Sequence, residues 1–519
     1  LIKRKNSLKG NCAKVLAGVL GVMMIIPINC TAKAETKGEV DTNSKRIVTY
    51  FPEWGIYPGH NGYEVSDIPW DKVTHVNYAF ATIKDGKVAI FDNFAATEKS
   101  FGEKWDSPYK GNYGQIKKFK QQHPNTKVLI SVGGWSQSGG FHDAAATEQS
   151  RKVFADSAVE FIRTWGFDGV DIDWEYPTFK RDGDKVDNPN DQGTPKADES
   201  EKQTFTLLLK SLRESLDSAS KTDNKKYQLT AAVGCGQDKI EKTEPDKYAQ
   251  YLDFINVMTY DMRGAWENKT GHQSPLYKNP YDPSSPLIKE NYNVDAAMKK
   301  FESYGISKNK LIVGSPYYSR GWTGVKNDGP IKDLPGLFAT ATGGAKGIWD
   351  GGRAAGNHPF YYLKSTLEND PSFKKYRDPY SKVPYLYSES KGEMYTYEDE
   401  ISLWEKVSYV KQNNYGGIIA WELSGDYPSK GSTLTDVIYN GFKNNLPPVV
   451  DPGKPTDPTS PTDPTNPTDP VKPDANAWVV GKDYKAGDVV SYKGKNYTCL
   501  VSHTSLEGWD PVSVASLWK

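Results

Sequence analysis

The sequence predicts an α/β protein built on a (β/α)8 TIM barrel, with a small α+β insertion between strand 7 and strand 8 and a small all-β C-terminal module. Three observations predict it. Short β-branched runs recur along the chain, with helical stretches between them. About 90 residues separate the last two runs, too many for one helix. A Pro-Thr-Asp-rich stretch then isolates a short final segment.

Taken in order, residues 1–34 read as a secretory signal peptide. Lys3, Arg4, Lys5 and Lys9 form a basic start, Val15 to Ile28 is mostly apolar, and Ala32-Lys33-Ala34 fits a cleavage site. The run is short for a membrane span, which needs about 20 apolar residues; a retained anchor is the alternative. The expectation is a secreted, extracellular chain with no membrane partner in its mature form.

The barrel is expected over 45–446. Its strands are RIVTYFPEW (46–54), VTHVNYAFA (73–81), KVLISVGGW (127–135), FDGVDIDWEY (167–176), YQLTAAVG (227–234), DFINVMTYD (253–261), KLIVGSPYYSRGW (310–322) and YGGIIAWELSGD (415–426). SRKVFADSAVEFIRTWG and EKQTFTLLLKSLRESLDSAS carry helical periodicity between them. A doubly wound sheet is the alternative, but no Gly-rich dinucleotide turn follows the first strand. The insertion, 323–412, holds strand-like pieces such as KVPYLYS and would wall the cleft at the C-terminal side of the strands.

Residues 447–474 repeat Pro-Thr-Asp with almost no apolar content, so they cannot bury a core. As polyproline II they would span on the order of 80 Å. Residues 475–519 are too few for a large core, so Trp478, Tyr484, Tyr497 and Trp518 are expected to be structural.

Composition excludes some functions. Without residues 1–34 the chain has 65 − 6 = 59 basic against 65 acidic residues, with no basic block, a poor footprint for nucleic acid. Cys12 and Cys30 leave with the signal. Cys235 and Cys499 lie on either side of the linker, which disfavours a disulfide, and no spacing resembles a zinc site. No metal and no cofactor are expected. The 14 Trp and 32 Tyr permit sugar stacking without proving it.

The sharpest signal is Asp168-Gly169-Val170-Asp171-Ile172-Asp173-Trp174-Glu175. A strand alternates faces, so Asp171, Asp173 and Glu175 share one face and Val170, Ile172 and Trp174 the other. The apolar set packs under helices; the acidic set lines the interior, about 6–7 Å between successive members. Three such carboxylates cannot all ionise cheaply, and a protonated one near the rim suits protonation of a leaving oxygen. A calcium loop would need Gly at the sixth position, where Tyr176 stands. A solvated acidic edge would not carry Val, Ile and Trp between its acids. Asp168 falls on the opposite parity and reads as structural.

This run resembles the D-x-x-D-x-D-x-E signature of family 18 glycoside hydrolases, which include bacterial chitinases. The resemblance covers nearly all of 45–446, with Ser131-Val132-Gly133-Gly134-Trp135, Met258-Thr259-Tyr260-Asp261, Tyr317-Tyr318-Ser319-Arg320 and Trp421-Glu422. Ser319 departs from the Gly common in relatives. The resemblance implies a secreted chitinase, an endo-type enzyme with a retaining, substrate-assisted mechanism. Glu175 would be general acid, then base. The substrate's acetamide oxygen would attack the anomeric carbon, giving an oxazolinium ion. Asp173 would hold the acetamide N–H, Asp171 would share a proton with Asp173, and Tyr260 would bond the acetamide oxygen. Substrate contacts would come from Gly133, Gly134, Trp135, Tyr176, Met258, Asp261, Trp266, Arg320 and Trp421.

Several of these have a plain structural reading as well. Trp135, Trp266, Trp322 and Trp421 could pack cores; Trp421, at a strand end, best fits a pocket floor. Gly133 and Gly134 could admit a sugar to the backbone or simply turn it. Arg320 could bind sugar oxygens or pair with an acid. The final segment resembles family 5/12 chitin-binding modules along its length, with His-Thr-Ser-x-x-Gly-Trp-x-Pro, which implies that Trp509 stacks on chitin. The expected partners are chitin and chito-oligosaccharides, met by a monomer. An endo-β-N-acetylglucosaminidase is the competing enzyme, which the chitin module disfavours. A lectin is the competing binder, which the presence of Glu175, Asp173 and Tyr260 disfavours.

Overall fold

The computed structural model describes residues 45–426, 434–448, 478–492, 495–506 and 509–519 apart from 513 and 515. The expected signal segment and all of the linker beyond residue 448 lie outside the described residues.

Eight parallel strands form the barrel: β1 (Arg46–Pro52), β2 (His75–Lys84), β3 (Lys127–Gly133), β4 (Gly169–Asp173), β5 (Gln228–Gly234), β6 (Phe254–Met258), β7 (Leu311–Pro316) and β8 (Gly417–Trp421). Each pairs with its sequence neighbours, and β1 pairs with both β2 and β8, so the ring closes. Seven fall within the expected runs, and β2 continues three residues past its run, to Lys84. Their nearly unbroken burial is what parallel strands covered on both faces require.

Alternation along each strand builds two cores. On β4, Val170, Ile172 and Trp174 face outward into the main core with Phe141, Phe205 and Leu208. Inside, Val48, Phe254, Ile312 and Ile419 pack below Tyr50, Ala79 and Phe80. The interior is therefore plugged by side chains, and only its upper layers are free for chemistry. Helices Glu148–Trp165 and Glu201–Asp223 flank β4. Thr147 caps the first, and Gly166 ends it at φ 80°. Asp168 sits below the site, between Lys120 and Lys225, and accepts the Val128 N–H, a structural role.

The insertion follows β7. Strands Arg320–Thr323, Gly343–Gly344, Lys374–Asp378, Val383–Ser388 and Glu393–Thr396 form one antiparallel sheet over a core of Trp322, Leu337, Tyr385 and Met394. Trp322 is thus a packing residue; its indole N–H donates to the Glu267 carbonyl. Buried Lys406 meets Glu398 at 3.0 Å where the insertion returns to the barrel. In the C-terminal module, two short strand pairs enclose Tyr484, Val490, Cys499 and Trp518. Cys235 and Cys499 are both buried and free. Among the described residues, no helix is long and apolar enough to cross a membrane.

Candidate active site

Register explains why the carboxylates differ. Asp171 lies opposite Ser131 on β3 and Thr230 on β5; Asp173 lies opposite Gly133 and Ala232. Asp171 therefore has donors beside it and Asp173 has none. The Asp171 carboxylate accepts from Tyr50 Oη at 2.7 Å, Ser131 Oγ at 2.8 Å, Thr230 Oγ1 at 2.5 Å and Asn256 Nδ2 at 3.2 Å. Burial raises its pKa, and these four bonds work against that rise. Asp173 is also buried, and its Oδ1 has no partner among the described residues. Burial first, then the charges of Glu175 and Asp171, push its carboxyl well above the usual range. No hydrogen bond joins Asp171 to Asp173. The four donors reach both Asp171 oxygens, two on each.

Glu175 lies two residues past the end of β4, partly buried at the rim. Its N–H donates to Ser138 Oγ, which donates to the Gly134 carbonyl. Burial lifts its carboxyl to about 7, against a hydrogen bond from Tyr176; nearby Asp261 lifts it further and Arg181 lowers it. A carboxylic acid still protonated near neutral pH is what proton donation requires.

Tyr260, Met258 and Ala232 form one buried cluster, with Tyr176 and Trp421 packed on it. The Tyr260 hydroxyl makes no hydrogen bond among the described residues. Trp421 joins this cluster to Tyr50, Phe80 and Trp54, with ring centroids at 5.1, 5.6 and 6.2 Å, and so floors the mouth.

Gly133 and Gly134 are buried with φ of 106° and 77°. A Cβ on Gly133 would lie 2.3 Å from the Asp173 carbonyl oxygen; one on Gly134 would lie 2.5 Å from the Phe80 ring. Close packing on the Asp173 backbone and the Phe80 ring therefore requires both positions to lack a side chain. Arg320 pairs with Asp261 through two bonds of 2.7 and 2.8 Å, so its charge is already matched. Its guanidinium lies 5.8 Å from the ring centre of Trp266, which is 60% exposed. Trp135 is 47% exposed, and Arg181 covers one face at 3.7 Å. Arg181 in turn pairs with Asp191. Trp509 is 38% exposed, beside His503.

Sequence reasoning missed Tyr50, Thr230, Asn256, Arg181 and Ser138. Inward parity on β1, β5 and β6 could have flagged the first three. Nothing local flags Arg181, because it reaches back 46 residues to Trp135. Among the described residues, no cluster of three or more His, Cys, Asp or Glu could hold a metal.

An eight-stranded barrel with a rim acid of raised pKa above two buried aspartates, floored and flanked by aromatics, defines a glycoside hydrolase. The chain belongs to the glycosyl hydrolases family 18, whose model matches residues 46–426. Residues 477–519 match the model of carbohydrate-binding module family 5/12. The chain is 37% identical to Chitinase A1 of Niallia circulans over 84% of its own length and 63% of that protein's, so it spans under two thirds of that relative. It is 32% identical to Chitinase 1 of Aphanocladium album, over 82% of this chain and 92% of that one. Among solved structures, Chitinase ChiA74 from Bacillus thuringiensis is similar, with a TM-score of 0.70 and 34% identity over 79% of this chain and 71% of that one.

Proposed function

We propose that this protein is a secreted chitinase that hydrolyses β-1,4-linked N-acetylglucosamine with retention, the substrate's own acetamide acting as nucleophile. One observation carries the reading. The carboxylates that influence Glu175 include Asp261 and Asp191, and each is tied to an arginine. Asp173 is left with a bare Oδ1 one step below the acid. The two arginine-bound carboxylates are poor nucleophiles, while a bare buried oxygen suits an acetamide N–H.

In this mechanism Glu175 protonates the glycosidic oxygen as the acetamide oxygen attacks the anomeric carbon. Asp173 accepts the acetamide N–H and offsets the cationic ring that forms. Tyr260 donates to the acetamide oxygen and aims it. Asp171, held by its four donors, takes up the proton that Asp173 carries before substrate binds, which leaves Asp173 the anion that faces the acetamide. Glu175 then deprotonates the water that opens the ring. Trp421 supports the distorted sugar; Trp135 and Trp266 offer open faces along the cleft. The C-terminal module anchors the enzyme to chitin through Trp509. The enzyme acts as a monomer, with no nucleic-acid or membrane partner in its mature form.

The test is chito-oligosaccharide hydrolysis by wild type and Glu175→Gln. Loss of the acid is expected to lower kcat by about 10²–10⁴-fold. Undiminished cleavage by the variant would remove Glu175 from the chemistry. Binding of chitin without wild-type cleavage would favour the lectin.

A further inference from the structure

One loop of the insertion links the segments that follow β8 and β1 to the segment that follows β4. Trp349 anchors it on the β8–β1 side. Its ring stacks on His60 at 4.3 Å, and its indole N–H donates to the Gly59 carbonyl at 3.1 Å. A Cβ on Gly425, just past β8, would lie 3.1 Å from the same indole. Four residues on, the loop meets the segment that follows β4. Arg353 forms an ion pair with Asp184, and its backbone N–H donates to Asp187 Oδ1 at 3.3 Å. Gly351 and Gly352 lie flush there: a Cβ on either would come within 2.3 Å of the Asp187 or Val186 carbonyl oxygen. Asp350 braces the loop internally, accepting N–H bonds from Gly347, Ala355, Gly356 and Asn357 at 2.5–3.2 Å. The segment it lands on is itself pinned, with Gln192 N–H on the Ser136 carbonyl and Arg181 on Trp135.

The strands between the two anchors are β2, which carries Phe80, and β3, which Trp135 follows by two residues. One end of the aromatic floor is thus bridged from β8–β1 to β4. We propose that residues 349–353 form a strap that makes this enzyme select chain ends, in place of the endo-type action expected from the sequence. A polysaccharide cannot drop sideways into a bridged cleft; it threads beneath the strap and stays held between cuts. This inference rests on the chitinase reading. The Arg353–Asp184 pair is exposed, with side chains 61% and 34% accessible, so it is a weak latch beside the firmer Trp349 anchor.

Two ratios test the proposal: viscosity lost per reducing end released from soluble glycol chitin, and dimer to odd-length products early on crystalline chitin. They are measured in wild type, in Trp349→Ala and in the double variant Asp184→Ala, Arg353→Ala. Wild type is expected to lose little viscosity per end and to release mainly dimer. Freeing the latch should raise the first ratio by up to about fivefold, the range of one exposed ion pair, and lower the second. Freeing Trp349 should do more, and N-acetylglucosamine tetramer hydrolysis should persist in both. If Trp349→Ala melts early, the double variant alone decides. Random internal cutting by wild type, or unchanged ratios in a folded double variant, would overturn the strap. A wild type that leaves the tetramer uncut overturns the chitinase reading first, and the strap with it.

Discussion

The raised pKa of Glu175 makes a stability prediction as well as a catalytic one. A carboxyl that titrates near 4.5 when unfolded and at about 7 when folded binds more protons in the native state between those values. Its contribution to stability is therefore fully present below about pH 4.5 and is lost as pH rises to about 7. At about 1.4 kcal/mol per pH unit, the loss reaches about 3 kcal/mol. Solvent at the rim screens part of it, leaving about 1–3 kcal/mol. Glu175→Gln keeps the shape of the protonated acid and cannot ionise. Its melting temperature should match wild type at pH 4.5 and exceed it at pH 8. A barrel of this size has an unfolding entropy near 0.8 kcal/mol/K, so the gain is about 1–4 °C. Differential scanning fluorimetry across pH 4.5–8 reads it directly. A gain that does not change with pH, or a loss at pH 8, would refute the argument that this group is desolvated.

Other expectations follow from the same contacts. kcat/KM on oligosaccharides should fall as pH rises through about 7, where Glu175 loses its proton; a flat profile to pH 9 would contradict it. Thr230→Val removes one of the four donors to Asp171 and should cost about 1–3 kcal/mol in urea unfolding. Lys406→Met leaves buried Glu398 without its counter-charge. Glu398 titrates at about 7, so the cost should be about 3 kcal/mol at pH 8 and clearly smaller at pH 5. Trp509→Ala should weaken retention on crystalline chitin while tetramer hydrolysis is unchanged; equal retention would make the module's turn irrelevant to binding.

What could be read from the sequence was whatever obeys a short period. Buried β-branched runs marked all eight strands. Parity on β4 separated Asp171 and Asp173 from Val170 and Ile172, and put Asp168 outside the chemistry. What could not be read was set by register between strands distant in sequence. Asp171 finds its donors on β1, β3, β5 and β6, up to 121 residues away. Gly133 had two readings, a sugar approach or a turn, and no local pattern shows that the Asp173 carbonyl beside it requires the missing side chain. Arg320 was open to two readings until Asp261 lay beside it. The strap depends on Arg353 meeting Asp184 across 169 residues, for which no local pattern exists.

In the proposed mechanism the nucleophile belongs to the substrate. The most direct test compares the hydrolysis rates of two matched tetramers, one N-acetylated and one fully de-N-acetylated, with wild-type enzyme. The account predicts cleavage of the first and no measurable cleavage of the second, since an intramolecular nucleophile with an effective molarity of about 10⁵ M or more is lost. Comparable rates on both would place the nucleophile on the protein and contradict the mechanism.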